Sequence, residues 1–156
     1  MRRLHLTLLR VYGRLPRRVR RAAIRVVAPK YTAGVVCLVR RGDGRVLLVR
    51  HSYRQRWGTP GGLMDRGEEP AAAVVRETAE ETGLAVEAIE PPTVVVDPQA
   101  RRIDIVYDAR LLDGADPDSA RPCSVEIAET SWFAPDDLPV LQQETASALR
   151  AAGLTT

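Results

Sequence analysis

Hydrophobic spacing changes texture along the chain. Near the start, Leu4, Leu8, Val11, Tyr12 and Leu15 recur at helical intervals; Pro16 interrupts, and Val19, Ala23, Val26 and Val27 resume the pattern until Pro29. Two short helices are predicted there. From Ala33 the texture becomes a β-branched apolar run, AGVVCLV, followed by RGDGR and then VLLVRH. An Asp-Gly pair between two such runs predicts a hairpin. The glycine-rich WGTPGGLMDRGEE predicts a loop. Pro70 suits the first turn of a helix and Gly83 its end, which gives a helix over about 70–82. After it, PTVVV reads as a short strand, and RRIDIVYDARL as a longer one with Ile103, Ile105 and Tyr107 alternating. Residues 113–122 read as a turn-rich loop, EIAETSWF as the last strand and 141–152 as a closing helix. Strands and helices mix without strict βαβ alternation. The fold class expected is α/β, a mixed sheet sandwiched between helices.

The predicted helix over 70–82 raises a question of charge. Ala71, Val74, Val75, Thr78, Ala79 and Thr82 run along one side, which leaves Glu77, Glu80 and Glu81 on roughly the opposite side. Like charges three or four residues apart on a helix cost about 0.2–0.5 kcal/mol per pair. Three carboxylates on one face call for a cation, and a bound metal would supply it.

Composition narrows the setting. At 156 residues, 45% of them hydrophobic and 28% charged, the chain is long enough for one domain with a single core. The formal net charge of +3 hides an asymmetry. Of the 23 basic residues, 12 precede Asp43 and no acid does, so the remaining 11 face all 20 acids and the body carries a net −9. A basic amphipathic extension over 1–29 and a domain over 30–156 follow from that break. Cys37 and Cys123 lie far apart, without metal spacing. Cys37, in an apolar run, reads as a small core residue. No apolar run reaches the roughly 18 residues of a membrane span, and Arg10 interrupts the short apolar start. A cytoplasmic location is expected.

The segment from Gly62 to Leu84 carries the chemistry. Gly62 is followed after five residues by Glu68 and after seven more by Arg76 and Glu77; then come Thr78, Ala79, Glu80, Glu81, Thr82, Gly83 and Leu84. This closely resembles the Nudix box, G-x5-E-x7-R-E-U-x-E-E-x-G-U, where U is aliphatic. Every charged and glycine position matches, and Thr78 stands at the first U. The resemblance implies the Nudix fold, and a loop–helix–loop that binds divalent metal and cleaves a diphosphate linked to some group X. It implies Mg²⁺ or Mn²⁺ as cofactor, with Glu80 and Glu81 as ligands and Glu77 a further ligand or the base. Glu68 would assist through coordinated water, and the Gly62 carbonyl would add a donor. Arg76 would hold a glutamate in place by a charge-assisted hydrogen bond. The family often draws one more carboxylate from outside the box. Glu126 and Glu129 are the candidates, with Glu126 preferred.

Substrate contacts are sought in HSYRQRW, which leads into the box. Arg54 and Arg56 could meet phosphates and Tyr53 could stack on a base, whereas Trp57 reads better as core. His51 and His5 lack any metal-ligand pattern and read as isolated histidines. Relatives specific for ADP-ribose often place a proline after the box; Pro98 lies in that region, and beside Asp97 it suits a turn equally well. The resemblance implies a nucleoside diphosphate derivative as substrate, a nucleotide sugar such as ADP-ribose first. A nucleoside triphosphate cleaned to its monophosphate is the alternative, and a non-catalytic nucleotide-binding regulator the competing class. Intact Glu68, Glu77, Glu80 and Glu81 favour the enzyme. The basic extension leaves three partners open: its own domain or a second copy in a homodimer, an anionic membrane, or RNA.

Overall fold

The computed structural model describes residues 12–155. Of the first predicted helix only residues 12–15 fall within that range, and 12–14 are helical. The chain divides between Lys30 and Tyr31 into two compact units. In the first unit, helix α1 (Arg17–Val27) follows Pro16, which sits at its N-cap. At 100° per residue, Arg17, Arg18, Arg20, Arg21 and Arg25 gather on one side of α1, and Val19, Ala23, Val26 and Val27 on the other.

The second unit contains seven strands: β1 (Thr32–Val39), β2 (Val46–His51), β3 (Trp57–Gly58), β4 (Gly61–Leu63), β5 (Val86–Asp97), β6 (Arg102–Leu111) and β7 (Ile127–Phe133). Helix α2 (Pro70–Thr82) lies between β4 and β5, and α3 (Gln143–Ala151) follows β7. The strands form two sheets: a four-stranded sheet in the order β4-β1-β6-β5 and a three-stranded sheet in the order β3-β2-β7. β1 runs parallel to β6 and antiparallel to β4, so the larger sheet is mixed.

β1 is central and covered on both faces, which is why its sequence is continuously apolar rather than alternating. Val35, Cys37 and Val39 point into one cluster with Leu47 of β2, Ala73 and Val74 of α2, and Tyr107 of β6. Val36 and Leu38 point the other way, to Val106 and to Ala148 and Leu149 of α3. The period of two along a single strand thus joins α2 and α3 through the sheet between them. Cys37 is a core residue, as its apolar neighbours suggest.

Three sequence expectations change in detail. The Asp-Gly hairpin does not form as a two-stranded ribbon. The turn closes, with the Arg41 N–H donating to the Arg45 carbonyl at 2.8 Å and a bridge between Arg40 and Val46, but β1 and β2 then part into different sheets. Leu47 and Val35 are buried in one cluster, and strands facing each other across a core cannot also be ladder partners. The glycine-rich loop from Trp57 contains two short strands, β3 and β4, the second overlapping the start of the box. The strand after the box is longer than PTVVV, and its register with β6 shifts between Ile89 and Thr93, where Pro91 and Pro92 lack donors.

Helix α2 ends as its sequence requires: Gly83 is left-handed at φ 73°, and its N–H reaches the Ala79 carbonyl at 2.9 Å. Thr78, at the position where an aliphatic residue is expected, is completely buried. Its hydroxyl donates to the Val74 carbonyl at 2.7 Å, so no polar atom is left unpaired. Thr78→Val should therefore change the free energy of unfolding by less than about 1 kcal/mol. Leu47→Ala, in the same cluster, should cost about 2–5 kcal/mol. Urea midpoints at a common m-value check both.

Candidate active site

Two glycines admit two different neighbours. Gly61 has φ 147°, and a Cβ there would lie 2.2 Å from the Val35 carbonyl oxygen, so the β1 backbone excludes any side chain. A Cβ on Gly62 would come within 2.6 Å of the Glu77 carboxyl group. β4 is thereby pressed between β1 and the first glutamate of the α2 acidic face.

Arg76 sits at the centre of that face. Its Nε and one terminal nitrogen grip the two oxygens of Glu68 at 2.8 and 2.9 Å, a bidentate pair. The other terminal nitrogen lies 3.0 Å from Glu77 and 3.2 Å from Glu80, and the Leu63 carbonyl accepts a further bond at 3.3 Å. One guanidinium thus holds three of the four box carboxylates. Arg76 and the Asp65 N–H draw the Glu68 carboxyl down to about 2. Burial pushes Glu77 up, against the pull of Arg76.

Glu81 is the carboxylate that Arg76 does not reach. It is 7% exposed, although the sequence pattern placed it on the polar side of the helix with Glu77 and Glu80. One oxygen accepts the Gly61 N–H at 3.1 Å, and the other lies 3.7 Å from Nε2 of His51. Burial raises its pKa to about 8 despite the Gly61 bond, and the charges of Glu77, Glu126 and Glu80 add to the rise. A buried carboxylate in a field of other carboxylates is the electrostatic signature of a cation site.

These groups open onto a cleft of about 690 Å³, within the range of small-molecule sites. Gly62, Glu77, Glu80 and Glu81 line one part, and Glu126 joins them from the loop before β7. Glu129 does not: it pairs with Arg50 at 2.5 Å on the neighbouring strand. Tyr53 and Arg54 line the cleft, while Arg56 lines a separate shallow depression beside it. Trp57 packs edge-on against Phe133 at 4.9 Å. Pro98 lies in a turn capped by Asp97, whose carboxylate accepts the N–H groups of Gln99 and Ala100 at 2.9 Å. Sequence reading missed Arg102 and Glu144, which also line the cleft. There Arg102 is locked to buried Asp104 at 2.6 Å, and Arg54 to Glu144 at 2.7 Å. Spacing could have flagged only the first pair, two residues apart on one strand face.

The donor set fits a hard divalent cation: oxygen only, several carboxylates, and a backbone carbonyl at Gly62. Among the described residues, no three such side chains are already drawn together around one point. None of the described helices is long and apolar enough to cross a membrane.

Comparison with known proteins gives a consistent result. The model of the NUDIX domain family matches residues 30–152. A MutT-like protein of Streptomyces ambofaciens is 31% identical over 110 residues, 70% of this chain and 68% of that protein. A putative 8-oxo-dGTP diphosphatase of Bacillus subtilis is 29% identical over 110 residues, 70% and 71% of the two chains. The crystal structure of a MutT NUDIX hydrolase from Burkholderia pseudomallei superposes with a TM-score of 0.65 at 32% identity, covering 78% of this chain and 98% of that one.

The Glu81 environment fixes a pH dependence. In the unfolded chain this carboxyl titrates near 4.5, and in the folded metal-free protein near 8. Between those values the folded state holds a proton that the unfolded chain has released. The contribution to stability is full below about pH 4.5 and is lost as pH rises through 8. Metal-free protein should lose melting temperature between about pH 5 and 8, and Glu81→Gln should flatten that slope. Stabilisation by Mg²⁺, which competes with the proton, should be larger at pH 8.5 than at 6.5. Melting curves with and without the metal check all three.

Proposed function

The chain belongs to the Nudix hydrolase family and is a pyrophosphohydrolase; from that premise we propose that it cleaves a nucleoside diphosphate linked to another group X, a nucleotide sugar such as ADP-ribose. The observation that carries the hydrolytic reading is the buried Glu81 lining the cleft together with Glu77, Glu80 and Glu126. Nudix hydrolases use divalent metal ions. Here the proposed ligands are Glu77, Glu80, Glu81, Glu126 and the Gly62 carbonyl, with Glu68 supporting them, for Mg²⁺ or Mn²⁺. A bound divalent ion would neutralise phosphate oxygens and make water a better nucleophile. Glu77 serves either as one of those ligands or, with its raised proton affinity, as the group that takes a proton from the attacking water. Arg76 fixes the positions of Glu68, Glu77 and Glu80. Tyr53 offers an aromatic face and Arg54 a guanidinium to the substrate, and Arg102, held by buried Asp104, adds a second guanidinium in the cleft lining. Arg56, outside the cleft wall, would meet substrate only beyond its rim.

A second reading, hydrolysis of a nucleoside triphosphate to its monophosphate and pyrophosphate, is favoured by the name of the Bacillus relative. A panel of nucleotides and nucleotide sugars with Mg²⁺, read by coupling enzymes that report each product, separates the two. The nucleotide-sugar reading expects nucleoside monophosphate and phosphorylated X. Pyrophosphate as the product would transfer the assignment to triphosphates. Glu81→Gln should lower kcat by about 10²–10⁴-fold, the scale of losing a group that acts on a proton or its acceptor. Ligand-induced stabilisation without turnover of any substrate would identify a binding regulator instead.

For residues 1–29 we propose contact with an anionic membrane surface, because α1 places an apolar side opposite its arginines and lipid uses both signals. RNA would use the arginines alone, and a second copy the apolar side. Full-length protein should sediment with phosphatidylserine vesicles at low salt, and protein lacking residues 1–28 should not. If both stay in solution, the membrane role is lost.

A further inference from the structure

We propose that His51 is a positioning residue for Glu81, set in one tautomer by Gln142. The inference rests on the reading of Glu81 as a metal ligand, and it concerns two residues that the box does not contain. Gln142 is 6% exposed and lies at the N-cap of α3. Its backbone is tied to the strand before the box, with its N–H donating to the Trp57 carbonyl at 2.8 Å.

Two contacts fix which end of its side-chain amide is which. Arg54 brings only N–H donors, so the Gln142 atom that it touches is the oxygen. The other amide atom lies 3.1 Å from the Arg56 carbonyl, which can only accept, so that atom is the nitrogen. Its second hydrogen is directed to Nδ1 of His51, 3.4 Å away. Nδ1 is then the acceptor of a neutral imidazole, and the ring proton resides on Nε2. Nε2 faces Glu81 at 3.7 Å, a separation that a small closing movement converts into a hydrogen bond. Glu81 is held on one oxygen by the Gly61 N–H, and its other oxygen faces His51.

A glycine marks the same arrangement. Gly58 is absent from the residues with positive φ, so its conformation does not call for glycine. Space does: a Cβ there would lie 2.9 Å from the Gln142 side-chain nitrogen and 3.2 Å from its amide carbon. Gly58→Ala would push the amide away from His51 without touching the acidic face of α2. Groups that orient metal ligands from outside typically change metal affinity by about 10–100-fold when removed.

The test measures Mn²⁺ binding by electron paramagnetic resonance, with melting temperature and steady-state kinetics, on full-length wild type and variants. Glutamine carries its amide nitrogen near the position of Nε2, and asparagine near that of Nδ1. His51→Gln should therefore bind Mn²⁺ within about threefold of wild type, whereas His51→Asn and Gly58→Ala should bind about 10–100-fold more weakly. The two weak variants should lose kcat at subsaturating Mn²⁺, keep the KM for substrate, and recover at high Mn²⁺. A packing role alone would lower the melting temperature of both His51 variants and leave their Mn²⁺ affinities alike. Equal affinities of His51→Asn and His51→Gln, or Gly58→Ala binding as wild type does, overturn the proposal. Glu81→Gln is the separate control. If it weakens Mn²⁺ binding and His51→Asn does not, only the positioning role fails; if it leaves binding intact, the ligand reading falls and the proposal with it.

Discussion

The guanidinium of Arg76 is the interaction on which the site depends. A helix with glutamates at 77, 80 and 81, facing a further one at 68, would repel itself. Arg76 removes most of that cost by binding Glu68 through both oxygens and leaning its remaining nitrogen on Glu77 and Glu80. The same pairing ties the loop at Glu68 to α2, so charge balance and chain geometry are solved by one side chain. What it leaves unsolved is Glu81, buried and outside its reach. The unfavourable electrostatics are thereby concentrated on one carboxylate at the cleft instead of being spread along the helix.

Packing explains why that carboxylate is held where it is. β1 is buried on both faces and sends alternate side chains to the clusters of α2 and α3. β4 lies along β1 so closely that Gly61 cannot carry a side chain, and the Gly61 N–H reaches Glu81. The position of Glu81 is fixed by backbone pressed on backbone, the least compliant contact that a small domain can provide.

Legibility in the sequence followed the range of the interactions. Helix α2 was readable to its ends because Pro70, Gly83 and the apolar spacing are local signals, and the acidic face was readable because its residues share those few turns. Cys37 and the strand character of β1 were equally plain. The hairpin was misread because Asp-Gly chemistry fixes the turn, whereas the parting of β1 and β2 is decided by what packs between them. Glu81 was placed on the polar side by its helical angle, and only the approach of β4 buries it. His51 looked isolated because its partners stand at positions 81 and 142, far along the chain. The pairing of Arg102 with Asp104 was visible as spacing but without meaning until the strand was seen to wall the cleft.

The parting of β1 and β2 also divides labour. Gly61, Gly62 and α2 belong to the four-stranded sheet and its covering helix, whereas Tyr53 and Arg54 hang from the segment joining β2 to β3 of the other sheet. The glutamates of α2 and another part of the cleft lining therefore hang from separate sheets, joined by the turn at 41–45 and by the two residues between β3 and β4. That separation is not complete: Arg54 and the Arg56 carbonyl hold Gln142, and the Ser52 N–H donates to the Glu126 carbonyl at 2.7 Å, so changes in residues 52–56 reach the carboxylates at second hand. A change of loop sequence on this plan is therefore screened twice, once at the cleft surface and once through the buried amide that the loop holds.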